Sequence, residues 1–290
     1  MGKRVIVITG ASSGLGREAA RVIGERGDHV AVVGRNADRT KAAAADAGGE
    51  AYLADFDRLD DVRALASALL ERYDRIDVLA NNAGGLVSEW ALTADGHERT
   101  FQSNVLAPFL LTELLRPRLT ATAADADVPG SVRVLATASV GNLMGGLRLD
   151  DLEWAERPYR RGWQPYGAAK LAVILWVREL AVRLQGTGVS AYSFHPGMVA
   201  TGFGGTSRLI GFANRWLGSH WARTPLGGAA PLIAYSGTPP MNGPSGSYFS
   251  RFTHEGPTLP ASHDPELRAR LWAALAELAG TAGDGTGAAV

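Results

Sequence analysis

The run Val5-Ile6-Val7-Ile8 passes without a break into Thr9-Gly10-Ala11-Ser12-Ser13-Gly14-Leu15-Gly16. Apolar residues with no polar alternation predict a strand buried on both faces. The three glycines behind it predict a sharp turn, because glycine adopts backbone angles that other residues avoid. Leu15–Gly27 then has helical character and stops at Gly27. A doubly buried strand feeding a helix through a bare loop commits the chain to an α/β architecture.

The unit recurs. Strands are predicted at 4–10, 29–34, 50–55, 76–84, 131–139 and 189–197, with a short seventh at 247–250. The Ala-rich segment 36–47 follows the second strand. Helices are predicted at 58–73, 95–118 and 165–186. Leu59, Val62, Leu65, Ala66, Leu69 and Leu70 mark one face of the first of these. Right-handed crossovers between such strands give a doubly wound parallel sheet, a Rossmann fold of about seven strands with helices on both faces. No linker divides the chain, so residues 1–280 read as one domain. The Gly/Ala/Thr-rich tail 281–290 is expected to fray.

Composition narrows the function. Lysine plus arginine equals aspartate plus glutamate at 29 each, which gives no electrostatic reason for a nucleic acid or anionic membrane partner. The chain has no cysteine, which removes disulfides, thiolate metal sites and cysteine nucleophiles. The six histidines show no metal-ligand spacing, so no metal is expected. The most apolar stretch, Leu171–Val177, is far short of a membrane span. The first strand starts too soon after Met1 for a signal peptide, and the expectation is a cytoplasmic protein.

Glycines at a strand-to-helix turn let backbone approach a phosphate, and the free N–H groups of the helix start point at it. Gly10, Ser12, Ser13, Gly14, Leu15 and Gly16 therefore read as a pyrophosphate cradle, although such a loop also serves as a plain tight turn. The end of the second strand should meet the adenosine ribose. No carboxylate stands there, and Arg35 offers a planar fork to a 2′-phosphate, so NADP(H) is expected over NAD(H). The bland alternative for Arg35 is an exposed loop residue. Asp55, with Phe56 beside it, ends the third strand where it could accept from the adenine amino group; it could equally be a turn residue leading the next helix.

Three further features suggest the chemistry. Asn81-Asn82-Ala83-Gly84 follows the fourth strand, at the carboxyl edge of the sheet where ligands bind. Ser139 ends the fifth strand at the same edge. Tyr166 and Lys170 lie four apart, on one helix face. A free phenol, with a pKa near 10, is a poor acid at working pH. A neighbouring ammonium and an oxidised nicotinamide should both lower it. Tyr166 could then protonate a carbonyl oxygen that Ser139 holds.

Together, Thr9-Gly10-x-x-x-Gly14-x-Gly16, Asn81-Asn82-Ala83-Gly84, Asn104, Ser139, Tyr166-x-x-x-Lys170 and Pro196-Gly197 resemble the short-chain dehydrogenase/reductase superfamily over about residues 3–280. The resemblance implies that Ser139, Tyr166 and Lys170 form a catalytic triad, with Asn104 positioning Lys170 through a water. It implies that Tyr166 and Lys170 also contact the cofactor, Lys170 through its ribose. Pro196, Gly197, Val199 and Thr201 would then serve the nicotinamide side, Asn82, Ala83 and Gly84 the adenosine ribose side, and Arg17 with Arg35 would favour NADP. Two departures stand out: Thr-Ala-Ser replaces the usual Ser-Ser pair, and the gap from Ser139 to Tyr166 is long. The long gap, with 223–235, 243–250 and 264–275, resembles the retinol dehydrogenase-like branch.

The stretch 201–225 puts Leu209, Phe212, Ala213, Trp216 and Leu217 on one helical face behind Gly202, Gly204 and Gly205. It reads as an apolar lid at about 200–225, in preference to a core-packing face or a membrane-surface helix. Phe203, Phe212 and Trp216 from the lid, with Trp90, Leu143, Met144 and Trp163, are the candidate substrate wall. The substrate would be a bulky apolar or aromatic ketone or aldehyde: retinoid-like, steroid-like or an aromatic polyketide such as an anthracycline. It would be interconverted with its alcohol, mainly by reduction. Two alternatives are a carbon–carbon double-bond reductase of the protochlorophyllide type and a non-catalytic dinucleotide sensor. His195 and His97 are read as bystanders, the first buried at a strand end and bonding backbone, the second exposed. Superfamily resemblance implies pairing through the helices at 95–118 and 165–186, so a homodimer is a possibility.

Overall fold

Continuous apolar strands need cover on both faces, and the chain supplies it. The computed structural model describes residues 3–197 and 225–281. The first half alternates strictly: β1 (Val5–Thr9), α1 (Gly14–Glu25), β2 (His29–Gly34), α2 (Ala37–Ala47), β3 (Glu50–Leu53), α3 (Leu59–Arg72) and β4 (Val78–Asn81). A short α4 (Arg99–Phe101) runs through a π-helical turn at Gln102–Leu106 into α5 (Ala107–Ala124). Then come β5 (Arg133–Thr137), α6 (Trp163–Arg183), β6 (Ser190–His195), α7 (Pro225–Tyr235), β7 (Tyr248–Ser250), β8 (Thr253–His254) and α8 (Pro265–Leu278).

The sheet order is β3-β2-β1-β4-β5-β6-β7-β8. The first seven strands pair in parallel; β8 turns back antiparallel on β7. The order reverses between β1 and β4, and a doubly wound sheet opens a crevice at the carboxyl ends of those strands. Central strands such as β1 are buried at every residue, as their unbroken apolar sequence demands. Edge strand β3 instead alternates and leaves Leu53 exposed. One core layer lies under α3, α5, α6 and α8, the other under α1, α2 and α7.

Three differences from the sequence reading have local causes. The helix expected at 95–118 starts at Arg99, because Glu98 caps it: its buried carboxylate accepts from Thr100 N–H at 2.7 Å and Phe101 N–H at 2.8 Å. The helix also runs on to Ala124, past Pro117. The eighth strand is only two residues long, too short to show a periodicity. Among the described residues, no helix is long and apolar enough to cross a membrane.

Candidate active site

The glycine loop is built as a backbone cradle. Gly10 and Gly14 both have left-handed φ, +66° and +58°. A Cβ on Gly10 would lie 2.8 Å from Ala83 Cα, and one on Gly16 2.6 Å from the Gly10 carbonyl oxygen. Ser13 precedes α1 with extended backbone and no side-chain cap, and no acidic residue sits in the first turn. The first amides of α1 therefore keep their donors for a ligand, and the helix dipole favours an anion there. Ser12 is buried against Gly34, and Leu15 is half-buried.

Thr9 locks this loop to the end of β4. Its hydroxyl oxygen accepts from the N–H groups of Asn82 and Ala83, each at 3.0 Å. Asn82 Nδ2 donates back to the Thr9 carbonyl at 2.9 Å, and Thr137 Oγ1 reaches Asn82 Oδ1 at 3.4 Å. β1, β4 and β5 are thus cross-bonded at the switch point.

At the end of β2, Arg35 is exposed, and so is Arg39 one helical turn further on. Neither guanidinium has an ion-pair partner among the described residues. Arg17 does: it forms an exposed ion pair with Asp46 at 2.6 Å. Asp55 behaves as a turn residue, its Oδ1 accepting from Asp57 N–H at 3.1 Å. The Phe56 side chain is buried in the core under α3.

Ser139, Tyr166 and Lys170 come together at the ends of β5 and α6. Ser139 Oγ accepts from Gly141 N–H at 3.0 Å, which starts a 3-10 turn at Val140–Met144, and the Tyr166 hydroxyl hydrogen-bonds Ser139. Lys170 Nζ donates to the Thr137 carbonyl at 2.9 Å and lies 5.5 Å from the Tyr166 ring centre. Tyr166 is 5% and Lys170 3% exposed. Burial pushes the Lys170 ammonium down to about 7. Burial also pushes the Tyr166 phenol up, with the Ser139 hydrogen bond opposing it. The expected lowering of Tyr166 by Lys170 therefore does not appear in the protein alone. The same desolvation that raises the phenol weakens the positive charge meant to lower it.

Asn104 occupies the π-helical turn, whose extra residue brings its side chain to the loop after β4. Its Nδ2 donates to the carbonyls of Gly85 and Thr100, both at 2.9 Å, and its Oδ1 accepts from Gly85 N–H at 3.0 Å. Gly84 sits between Asn104 and Lys170: a Cβ there would overlap Asn104 Oδ1 and lie 3.5 Å from Lys170 Nζ. No direct Asn104–Lys170 hydrogen bond is formed.

Of the residues expected in the substrate wall, Leu143 (41%), Met144 (49%) and Trp163 (42%) are exposed. Trp90 is exposed too, its Nε1 donating to the Glu153 carbonyl at 3.2 Å. Val199 and Thr201, expected on the nicotinamide side, and Phe203, Phe212 and Trp216, with the lid expected at about 200–225, lie outside the described residues. Pro196 and Gly197 follow β6; Gly197 has φ +95° and packs against Arg251. His195 Nδ1 is buried without a partner, and burial with nearby Arg251 pushes the imidazole down to about 4. Among the described residues, its Nδ1 makes no backbone bond. His97 is half-buried rather than exposed, with Nδ1 3.0 Å from Glu153 Oε1.

Sequence reasoning did not find Asn142 and Tyr248. Both are fully buried. Asn142 holds the Ser139 carbonyl twice, through its backbone N–H at 3.0 Å and its Nδ2 at 2.9 Å, and reaches the Pro257 carbonyl at 3.3 Å. Tyr248 stands on β7 with its phenol pushed up by burial, then by the neighbouring Tyr166.

Known proteins resemble the chain in sequence and fold. The sequence pattern of the family described as short chain dehydrogenase matches residues 4–146. Retinol dehydrogenase 13 of Homo sapiens is 32% identical over 96% of this chain and 85% of its own length. DnrU of Streptomyces sp. (strain C5), named for daunorubicin C-13 ketoreduction, is 37% identical over 96% of this chain and 93% of its own. The chain belongs to the short-chain dehydrogenase family. A solved structure from Mycobacterium paratuberculosis superimposes with a TM-score of 0.75 at 30% identity, covering 97% of this chain and 94% of that one. As a family member the chain is an oxidoreductase, and the cradle, the Thr9 lock and the buried Ser139–Tyr166–Lys170 cluster all lie on the carboxyl edge of this short-chain dehydrogenase sheet.

Proposed function

We propose that the chain is an NADPH-dependent reductase of bulky apolar ketones or aldehydes, with Ser139, Tyr166 and Lys170 as its catalytic residues. The observation that carries this reading is the cluster itself: a phenol and an amine, both buried, one helical turn apart, with a serine hydroxyl on the phenol. The residues fit a dinucleotide. Side chains at Gly10 or Gly16 would fill the cradle, and uncapped amides of α1 face it. Arg35 and Arg39, exposed and without an ion-pair partner among the described residues, suit a 2′-phosphate; Arg39 adds to the Arg17 and Arg35 expected from the sequence.

NADPH, when bound, supplies the hydride for the carbonyl carbon. The protein does the rest. Ser139 Oγ donates to the carbonyl oxygen and orients it. Tyr166 gives that oxygen its proton, so ketone, hydride and proton balance to an alcohol. Lys170, held by Thr137, places a charge beside the phenol when protonated and stabilises the phenolate left behind. Asn104 fixes the Gly84–Gly85 backbone against Lys170, and the water-mediated link implied by the resemblance would run past Gly84.

The exposed apolar rim of Leu143, Met144 and Trp163 supports a large flat substrate. The names of two relatives, one for retinol and one for daunorubicin, point to the same kind of molecule. The double-bond reductase alternative is expected to use cysteines near the substrate, and the chain has none. Titration of nicotinamide fluorescence with NADPH and NADH, on the protein and on Arg35→Ala and Arg39→Ala, tests the cofactor half. NADPH should bind at least tenfold tighter than NADH, and each substitution should reduce that ratio. Equal binding of both nucleotides refutes the preference; binding of neither favours a scaffold without redox chemistry.

A further inference from the structure

β7 ends on the same edge of the sheet as the catalytic cluster. Thr137, Phe194 and Phe249 are aligned across β5, β6 and β7. Two residues further along each strand stand Ser139, Pro196 and Arg251. Neighbouring strands lie about 4.8 Å apart, so Arg251 stands roughly 10 Å from Ser139, two strand spacings away. Its backbone has φ +55°, a conformation that residues other than glycine seldom adopt. The turn is pinned on both sides: the Arg251 N–H donates to the His195 carbonyl at 2.8 Å, and the Arg251 carbonyl accepts from the Tyr235 hydroxyl. The side chain lies over Gly197, where a Cβ would come 3.2 Å from Arg251 Cδ and 3.6 Å from Arg251 Nε.

That side chain has donors to spare. A guanidinium is always charged and carries five N–H groups. Arg251 Nε is enclosed with no hydrogen-bond partner, and among the described residues the guanidinium has no ion-pair partner. The other enclosed arginines of this half are satisfied: Arg133 donates to the carbonyls of Gly130, Tyr235 and Gly237, and Arg178 pairs with Glu255 at 3.0 Å. Arg251 instead lies 5.6 Å over the ring of Phe252, which is 49% exposed. Beside it, His195 Nδ1 is also enclosed and without a partner. Burial, then nearby Arg251, pushes that imidazole down to about 4, so at neutral pH it brings a hydrogen bond and no second charge. An enclosed donor left unmet costs free energy. A carboxylate would meet it, because its two oxygens match the guanidinium fork.

We propose that Arg251 anchors a carboxylate on the substrate, at the opposite end from the carbonyl that Ser139 and Tyr166 hold, with His195 bonding the same group. The inference rests on the reductase reading and narrows its substrate class: a bulky ketone or aldehyde that carries an acid across a ring system from the reacting carbon. Leu143, Met144 and Trp163 remain for the apolar body between the two ends.

Two probes that differ only in charge test it: 6-acetyl-2-naphthoate and its methyl ester. Each is titrated calorimetrically into the full chain with oxidised NADP present, so that no hydride can transfer. The acid should bind roughly tenfold or more tighter than the ester. Arg251→Met should remove most of that preference, and Arg251→Lys, which keeps the charge without the fork, should keep part of it. Added sodium chloride should erode the preference in the unsubstituted chain, a check that needs no variant to fold. Equal binding of acid and ester, a preference that survives Arg251→Met, or binding of neither probe overturns the proposal. Reduction of both probes by NADPH, followed by nicotinamide absorbance, separates the two readings. If the acid binds through Arg251 and neither probe is reduced, the reductase reading fails and the anion site stands. If both are reduced with equal kcat/KM, the reductase reading stands and the anchor fails.

Discussion

Removing the amine of Lys170 should change how stability depends on pH. Lys170 is 3% exposed, and burial brings its pKa from 10.5 to about 7. Between those values the unfolded chain holds a proton that the folded chain has given up. Stability then rises with pH wherever the unfolded state binds more protons. The contribution is complete above pH 10.5 and is lost as pH falls through about 7. Each pH unit inside the window is worth ~1.4 kcal/mol. Wild type should therefore gain about 2 kcal/mol from pH 7 to pH 9 relative to Lys170→Met, which has no proton to exchange. The Thr137 carbonyl that loses its donor shifts the variant by a constant, not by a slope. The assay is urea unfolding of both proteins at the two pH values without nucleotide. A gap between wild type and variant that is the same at both values would show that Lys170 stays charged in the folded protein, and the argument from burial would fail.

Tyr166→Phe should lower turnover by roughly 10²–10⁴-fold and change NADPH binding far less, because it removes the proton donor while the glycine cradle and Lys170 remain to hold the dinucleotide. Steady-state kinetics beside a fluorescence titration separate the two. Asn142→Ala removes a side-chain grip on the Ser139 carbonyl and should lower kcat by roughly tenfold with little change in KM; Tyr248→Phe, which leaves that grip intact, should cost less than threefold by the same assay (roughly). Arg133→Met should destabilise the fold by about 3 kcal/mol in denaturant titration, because the buried guanidinium serves the carbonyls of Gly130, Tyr235 and Gly237 at 2.7–2.9 Å. Its activity per folded molecule should hold.

The central sheet is legible in the sequence because its strands are buried on both faces and their apolar runs are unbroken. β1, the Gly10–Gly16 loop and α1 emerge almost residue for residue. What the sequence does not show are features decided by a neighbour far along the chain. Asn104 reads as one polar residue in a helix; only contact with Gly85 explains the π-helical turn around it. Asn142 and Tyr248 are separated by about a hundred residues and have no motif to link them. α8 carries a visible start, Asp264-Pro265, and leucines at 267, 271 and 275, yet nothing local says that its apolar face belongs against Phe109 and Trp176.

The electrostatics of the site show the same division. The i, i+4 spacing of Tyr166 and Lys170 correctly predicts that they share a helix face. It does not predict that both will be buried, or that burial will favour the neutral form of each. A phenol raised by desolvation beside an amine lowered to about 7 is a pair that resists charge separation. On the proposed function, such a pair would need a ligand that adds donors or charge before it can transfer a proton. Proton uptake on NADPH binding, measured in weakly buffered solution near pH 7, would report the change directly. A net uptake by wild type that vanishes in Lys170→Met means that the dinucleotide recharges the amine, which makes cofactor binding itself the event that arms Tyr166. No difference between the two proteins would place the arming charge somewhere other than Lys170.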